Sequence, residues 1–203
     1  MTELAATPSY PVAMTLSPPE GSSRLWAVPL FGFLVKCLVL IPHLIVLYVL
    51  GIAVGFAQLV IWIPVLFTAR YPDWAFALNA GYLRWTNRIY LFFFGLTDAY
   101  PAFSFDAPGD MLIERPASSS RFFAILILGG LVRYILLIPH YIILYALTIA
   151  VGACQLVIWA WVLFGGQYPS WAFTLVGGTI TWSLRVTAYF FGLTDRYPPF
   201  SFA

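Results

Sequence analysis

The side chains of this chain that could do chemistry lie within apolar runs. His43 and His140 each follow a proline, Pro42 and Pro139. Two imidazoles at matched places are a donor set for a haem or chlorin held between them. The structural alternative is that each ring bonds carbonyls that the proline frees. At 100° per residue Arg84, Asn87 and Arg88 share one helical face, and Arg185 stands alone further on. Cations in or near a bilayer face a partner or a wet cavity. Arg84, Arg88 and Arg185, with Lys36 and Arg133, are therefore candidates for a lipid-headgroup or anion site. For Arg84, Arg88 and Arg185 the structural alternative is an ion pair with Asp98 or Asp195, or the carbonyl end of the apolar segment 43–68 or of its counterpart 140–165. Gln58 and Gln155 carry amides that need a partner in an apolar run, and helix-to-helix hydrogen bonds worth about 0.6–2 kcal/mol would supply one. Gly51 and Gly55, matched by Thr148 and Gly152, form small-xxx-small pairs that let two backbones approach. No GxSxG, P-loop, HExxH or dinucleotide fingerprint occurs, and no nucleophile, base and oxyanion donor assemble. The expectation is a protein without catalysis, without a metal and, unless the histidines ligate, without a cofactor.

The elements that must position these residues are membrane elements. Of 203 residues, 62% are hydrophobic, 19% aromatic and 9% charged. A soluble globule carries about a quarter charged residues, so a water-soluble enzyme, a disordered chain and a nucleic-acid binder are excluded. The net charge of +2 is too small to imply a polyanionic partner. Cys37 and Cys154 stand in apolar runs at non-equivalent places, and both read as small buried hydrophobes. Residues 1–23 are polar, rich in Pro and Ser, with Glu3 and Glu20. They lack the basic start and apolar core of a secretory signal.

A shift of 97 residues aligns 14–105 with 111–202 without a gap, and 49 of the 92 pairs are identical. Pro42-His43 falls on Pro139-His140, QLVIW at 58–62 on 155–159, Arg88 on Arg185, and LTDAYPAFSF at 96–105 on LTDRYPPFSF at 193–202. The chain thus divides into a polar segment 1–23, a repeat 24–105, a linker 106–120 and a second repeat 121–203. The Ile-Pro-His element, the long apolar run and the LTDxYPPFS ending resemble the bacterial membrane proteins grouped as domain of unknown function 4389, in two tandem copies. The resemblance implies a bacterial multi-pass membrane protein and supplies no activity. The first copy departs from it at Ala102, where the second has Pro199.

The apolar run of the first repeat, about 25 to 69, would make a single helix roughly 65 Å long, twice the hydrocarbon core. Pro42 and Pro139 are the natural breaks. The expected fold is an all-α membrane protein of two tandem repeats, each an interfacial or re-entrant helix (24–41, 121–138) followed by a spanning hairpin (43–68 with 73–95; 140–165 with 170–192). Six spans in an inverted repeat are the alternative. Lys and Arg outside the spans favour cytoplasmic termini in a bacterial inner membrane, and Tyr71, Trp74, Tyr100, Tyr168, Trp171 and Tyr197 read as interfacial belts. Three functions fit. The first is an accessory or scaffold subunit of a membrane complex, or a lipid-binding protein, meeting membrane lipids and other membrane subunits. The second is a small transporter or channel with a path lined by Gln58, Gln155, Arg88 and Arg185. The third is a haem or chlorin carrier.

Overall fold

The computed structural model describes residues 10–19, 21–125 and 128–202. Glu3, Glu20 and the rest of the 1–9 stretch lie outside the described residues. The chain is mostly helical. A short turn α1 (Arg24–Ala27) leads into a long helix α2 (Phe31–Thr68) and a shorter one α3 (Asp73–Phe93). The second repeat has the same plan: a 3-10 turn (Phe122–Ala124), a long helix α4 (Leu128–Gly165) and α5 (Ser170–Phe190). Strand β1 (Val12–Ala13) pairs antiparallel with β2 (Leu112–Ile113), Val12 opposite Ile113.

Pro42 and Pro139 do not break their helices. Each lies inside one continuous 38-residue helix, so 24–41 and 121–138 are not separate interfacial elements. Proline removes an N–H and crowds the preceding turn, leaving carbonyls on that side short of a donor. Here an outside donor arrives. The Tyr100 hydroxyl donates to the Val39 carbonyl at 2.9 Å and the Tyr197 hydroxyl to the Leu136 carbonyl at 2.8 Å. These two tyrosines thus staple their helices. Replacing either by phenylalanine is expected to cost about 1 kcal/mol. The double variant should lose the sum, because the two sites share no partner. Thermal unfolding in detergent measures both.

The inward stripe of α2 recurs every three or four residues: Lys36, Leu40, His43, Leu47, Val54, Ala57, Ile61 and Val65 are buried. The rest of its surface is aliphatic and aromatic and exposed, including Leu38, Tyr48, Phe56, Leu59 and Phe67, and α4 repeats this with Tyr145, Leu156 and Phe164. Both long helices are long and apolar enough to cross a membrane. Helices α3 and α5 pack against each other between them, with α2 on α3 and α4 on α5. Both end in the same way. Gly95 (φ 79°) and Gly192 (φ 75°) take the left-handed conformation that a side chain resists. The following N–H groups then bond back, Leu96 to Leu91 and Leu193 to Ala188.

A pair of crevices between the repeats

The histidines are walled in. Trp85 Nε1 donates to His43 Nδ1 at 2.9 Å, and Trp182 Nε1 does the same to His140 at 2.9 Å. Phe103 stacks on the His43 ring at 3.7 Å between centroids, and Phe200 on His140 at 3.9 Å. Neither imidazole has exposed surface, and each Nε2 lacks a hydrogen-bond partner among the described residues. The two rings sit in separate clusters, one per repeat, rather than facing each other across a shared space. They do not cap carbonyls either. Each holds its Trp and gives the returning LTDxYPxF segment a plate to lie on. Among the described residues no group of three His, Cys, Asp or Glu is placed to hold a metal, and both cysteines are free.

The cations find partners that spacing did not single out. Arg84 pairs with Asp106 and Arg88 with Asp110, both on the linker, and not with Asp98. Arg185 donates to the Val12 carbonyl at 3.1 Å and lies against the Tyr10 ring. Lys36 donates to the Phe92 carbonyl at 2.8 Å. Arg133 reaches the Tyr189 carbonyl, the Thr194 carbonyl and Asp195. The last two cations therefore sit on the carbonyl ends of α3 and α5, where a helix dipole favours positive charge. Gly51 meets the Tyr82 ring of α3, whereas a Cβ at Gly55 or Gly152 would meet nothing within 4 Å. The small-residue stripe therefore does not join α2 to α4.

What the fold brings together is a crevice at each junction of the repeats. One lies between α2 and the end of α5: Gln58, Trp62, Tyr71, Ser119, Ser120, Phe123, Gly130, Arg133, Phe191 and Gly192 are among its lining residues. Its counterpart lies between α4 and the end of α3, and apart from Asp98 its lining residues are 97-shifted equivalents, among them Gln155, Trp159, Tyr168, Ser22, Ser23, Trp26, Lys36, Phe94 and Gly95. Gln58 donates to the Phe191 carbonyl at 3.5 Å, and Tyr71 donates to the same oxygen at 2.9 Å. Tyr71 in turn accepts from Asn79 at 2.6 Å. Burial pushes the Tyr71 hydroxyl up to about 12, so it remains a donor at any physiological pH. Tyr168 makes the matching bond to Phe94, at 3.3 Å. Tyr71 and Tyr168 are thus buried cross-repeat ties, whereas Trp74, Tyr100, Trp171 and Tyr197, the other four expected belt residues, keep exposed rings.

The crevices differ in volume, about 250 Å³ against about 20 Å³. One substitution beside them sets the two repeats apart. Phe33 packs against Trp159 beside the small crevice, with centroids 6.1 Å apart. Its equivalent beside the large one is Gly130, around which a Cβ would meet nothing within 4 Å. Both crevices hold a buried hydroxyl without a partner among the described residues, Ser119 Oγ in the large one and Ser22 Oγ in the small one. Gln58 and Gln155 fall in different crevices, and Arg88 and Arg185 in neither, so the four do not line one path. Sequence reasoning found the two glutamines. It missed Ser119 and Gly130, although the 33/130 mismatch in the alignment of repeats was the signal for them.

A family model described as a domain of unknown function (DUF4389) matches residues 32–104 and 128–201. No curated protein matches the chain, and no solved structure does. Each match begins within the start of a long helix and ends in the segment that returns over its histidine, which is one structural repeat. The chain belongs to this family, as two tandem copies of its domain.

Proposed function

We propose that this is a non-catalytic protein embedded in a bacterial inner membrane, with its Lys- and Arg-bearing loops on the cytoplasmic face, and that it holds a lipid-like amphiphile in the larger crevice. The observation that carries the proposal is the crevice of about 250 Å³ between α2 and α5. A cavity of about 150 Å³ accommodates a benzene ring, so this one has room for the end of an acyl chain or a small apolar headgroup. Its rim is formed by Leu59, Ile125 and Phe190, all exposed and apolar. Such a mouth admits molecules from lipid more readily than from water. Inside, Ser119 Oγ offers a hydroxyl that a ligand's hydroxyl or ester would satisfy. Arg133 is already neutralised by Asp195, which favours an uncharged polar group over a phosphate.

Gly130→Phe copies the first repeat's Phe33 and tests this directly. The wild-type protein, purified in mild detergent, is expected to carry one lipid class enriched over the bulk extract by mass spectrometry. The variant should lose that lipid and melt no lower than wild type. A wild-type protein without enrichment, or a variant that retains the lipid, would refute the proposal.

A further inference from the structure

We infer that α2 and α4 lie along a single leaflet, with every loop on the same aqueous side, rather than crossing the bilayer. The inference rests on the membrane reading above and adds how the chain is disposed in it. The partner surface is one leaflet's hydrocarbon, met by the outer faces of the two long helices.

The course of the linker is the first reason. The chain that follows α3, residues 94–120 and so including the linker, runs back along that helix without forming a helix. Phe105 lies on Gly81, Asp106 meets Arg84, Arg115 meets Asp73, and Ser119 N–H bonds the Ala69 carbonyl. If α3 crossed hydrocarbon, this irregular strand would cross beside it with exposed carboxylates, among them Asp106, whose side chain is 78% exposed. Lipid-exposed irregular backbone does not occur at that depth. The stretch from Tyr10 does the same over α5. Tyr10 bonds the Arg196 carbonyl near one end of that helix, and Ser22 N–H bonds the Gly166 carbonyl beyond the other.

Length is the second reason. Exposed apolar side chains run along α2 from Phe31 to Phe67, about 54 Å at ~1.5 Å per residue. Fitting 54 Å into a core of about 30 Å needs a tilt of about 56°, beyond the range of roughly 0–40° that spanning helices adopt. A helix about 10 Å across fits lengthwise within the roughly 15 Å of one leaflet.

Charge placement agrees. Lys36 and Arg133, the charged residues of the two long helices, are buried on the inner stripe. Asp73 opens α3, and Arg24, Arg70, Arg121, Asp106, Glu114 and Arg196 stand at helix ends or in the irregular layer.

Single cysteines at Arg70, Ala99 and Glu114, in a Cys37→Ala, Cys154→Ala background, mark the two ends of α2 and the linker. All three are expected to react with a membrane-impermeant maleimide from the same side of sealed vesicles. Reaction of Arg70→Cys and Ala99→Cys from opposite sides overturns the inference and leaves the membrane reading standing. Nitroxide labels at Leu38, Tyr48, Leu59 and Phe67 give a second measurement. Equal depths, within about one helix width of 10 Å, are expected, and a depth maximum in mid-helix overturns the inference. Release by alkaline carbonate, with Tyr48→Cys labelled from water, would overturn the membrane reading as well and point to a soluble protein partner on this face.

Discussion

Arg133→Met is expected to lower stability by about 3–5 kcal/mol, the range for removing one partner of a buried ion pair. The guanidinium bridges Asp195 and the carbonyls of Tyr189 and Thr194, and its side chain is 7% exposed. Its removal strands a carboxylate and leaves the end of α5 without its positive cap. Asp195 also accepts from the Ser120 N–H at 2.6 Å, so the entry to the second repeat should loosen with it. Lys36→Met is the internal control. Lys36 bonds the Phe92 carbonyl at 2.8 Å and that of Phe93 at 3.4 Å, while Asp98 acts on its charge from beyond ion-pair contact. A hydrogen bond to a charged group is worth about 1.5–3 kcal/mol, so the first-repeat variant should be the milder. Thermal unfolding of both in one detergent checks the order. Equal losses would mean that direct contact with the carboxylate adds nothing.

Gly32→Ala and Gly129→Ala are the second pair with large expected effects. A Cβ at Gly32 would stand 2.3 Å from the Trp26 carbonyl oxygen, and one at Gly129 would stand 2.0 Å from that of Phe123. Both obstacles are backbone, so relief means lifting α1 or the 3-10 turn off the start of its long helix. Overpacking of this kind costs about 1–3 kcal/mol and sometimes more. It should also undo the packing of Trp26 on Phe92 and of Phe123 on Tyr189. Gly55→Ala and Gly152→Ala should go the other way, since a methyl group meets nothing there and alanine favours helix by about 0.8–1 kcal/mol. Opposite shifts in melting temperature are the expected readout.

The contrast between these glycines shows what the chain disclosed before folding. The duplication was legible outright, because QLVIW and LTDxYPxFSF recur at one spacing. Repeated residues keep repeated partners, as the two His–Trp bonds show. Partners contributed by distant chain were not legible. Pro42 reads as a break until Tyr100 arrives from beyond α3 to serve its helix. Arg84 and Arg88 read as costly intramembrane cations until the linker doubles back and sets Asp106 and Asp110 over them. Gly55 and Gly152 read as packing residues because spacing alone cannot tell an inner stripe from an outer one on a helix that is apolar all round. The crevice was half legible: Gln58 was evident as a polar residue in an apolar run, whereas Ser119 belongs to it only because the linker ends there.

The replacement of Phe33 by Gly130 has a consequence for descent. Two copies of a gene segment begin as equals, and each junction first inherits the same obligations. Once an aromatic contact beside one junction keeps the halves joined, selection on the other relaxes. That junction can then drift towards whatever occupant proves useful, with little risk to the integrity of the whole. Among related chains, variation should therefore collect around the open junction and spare the other.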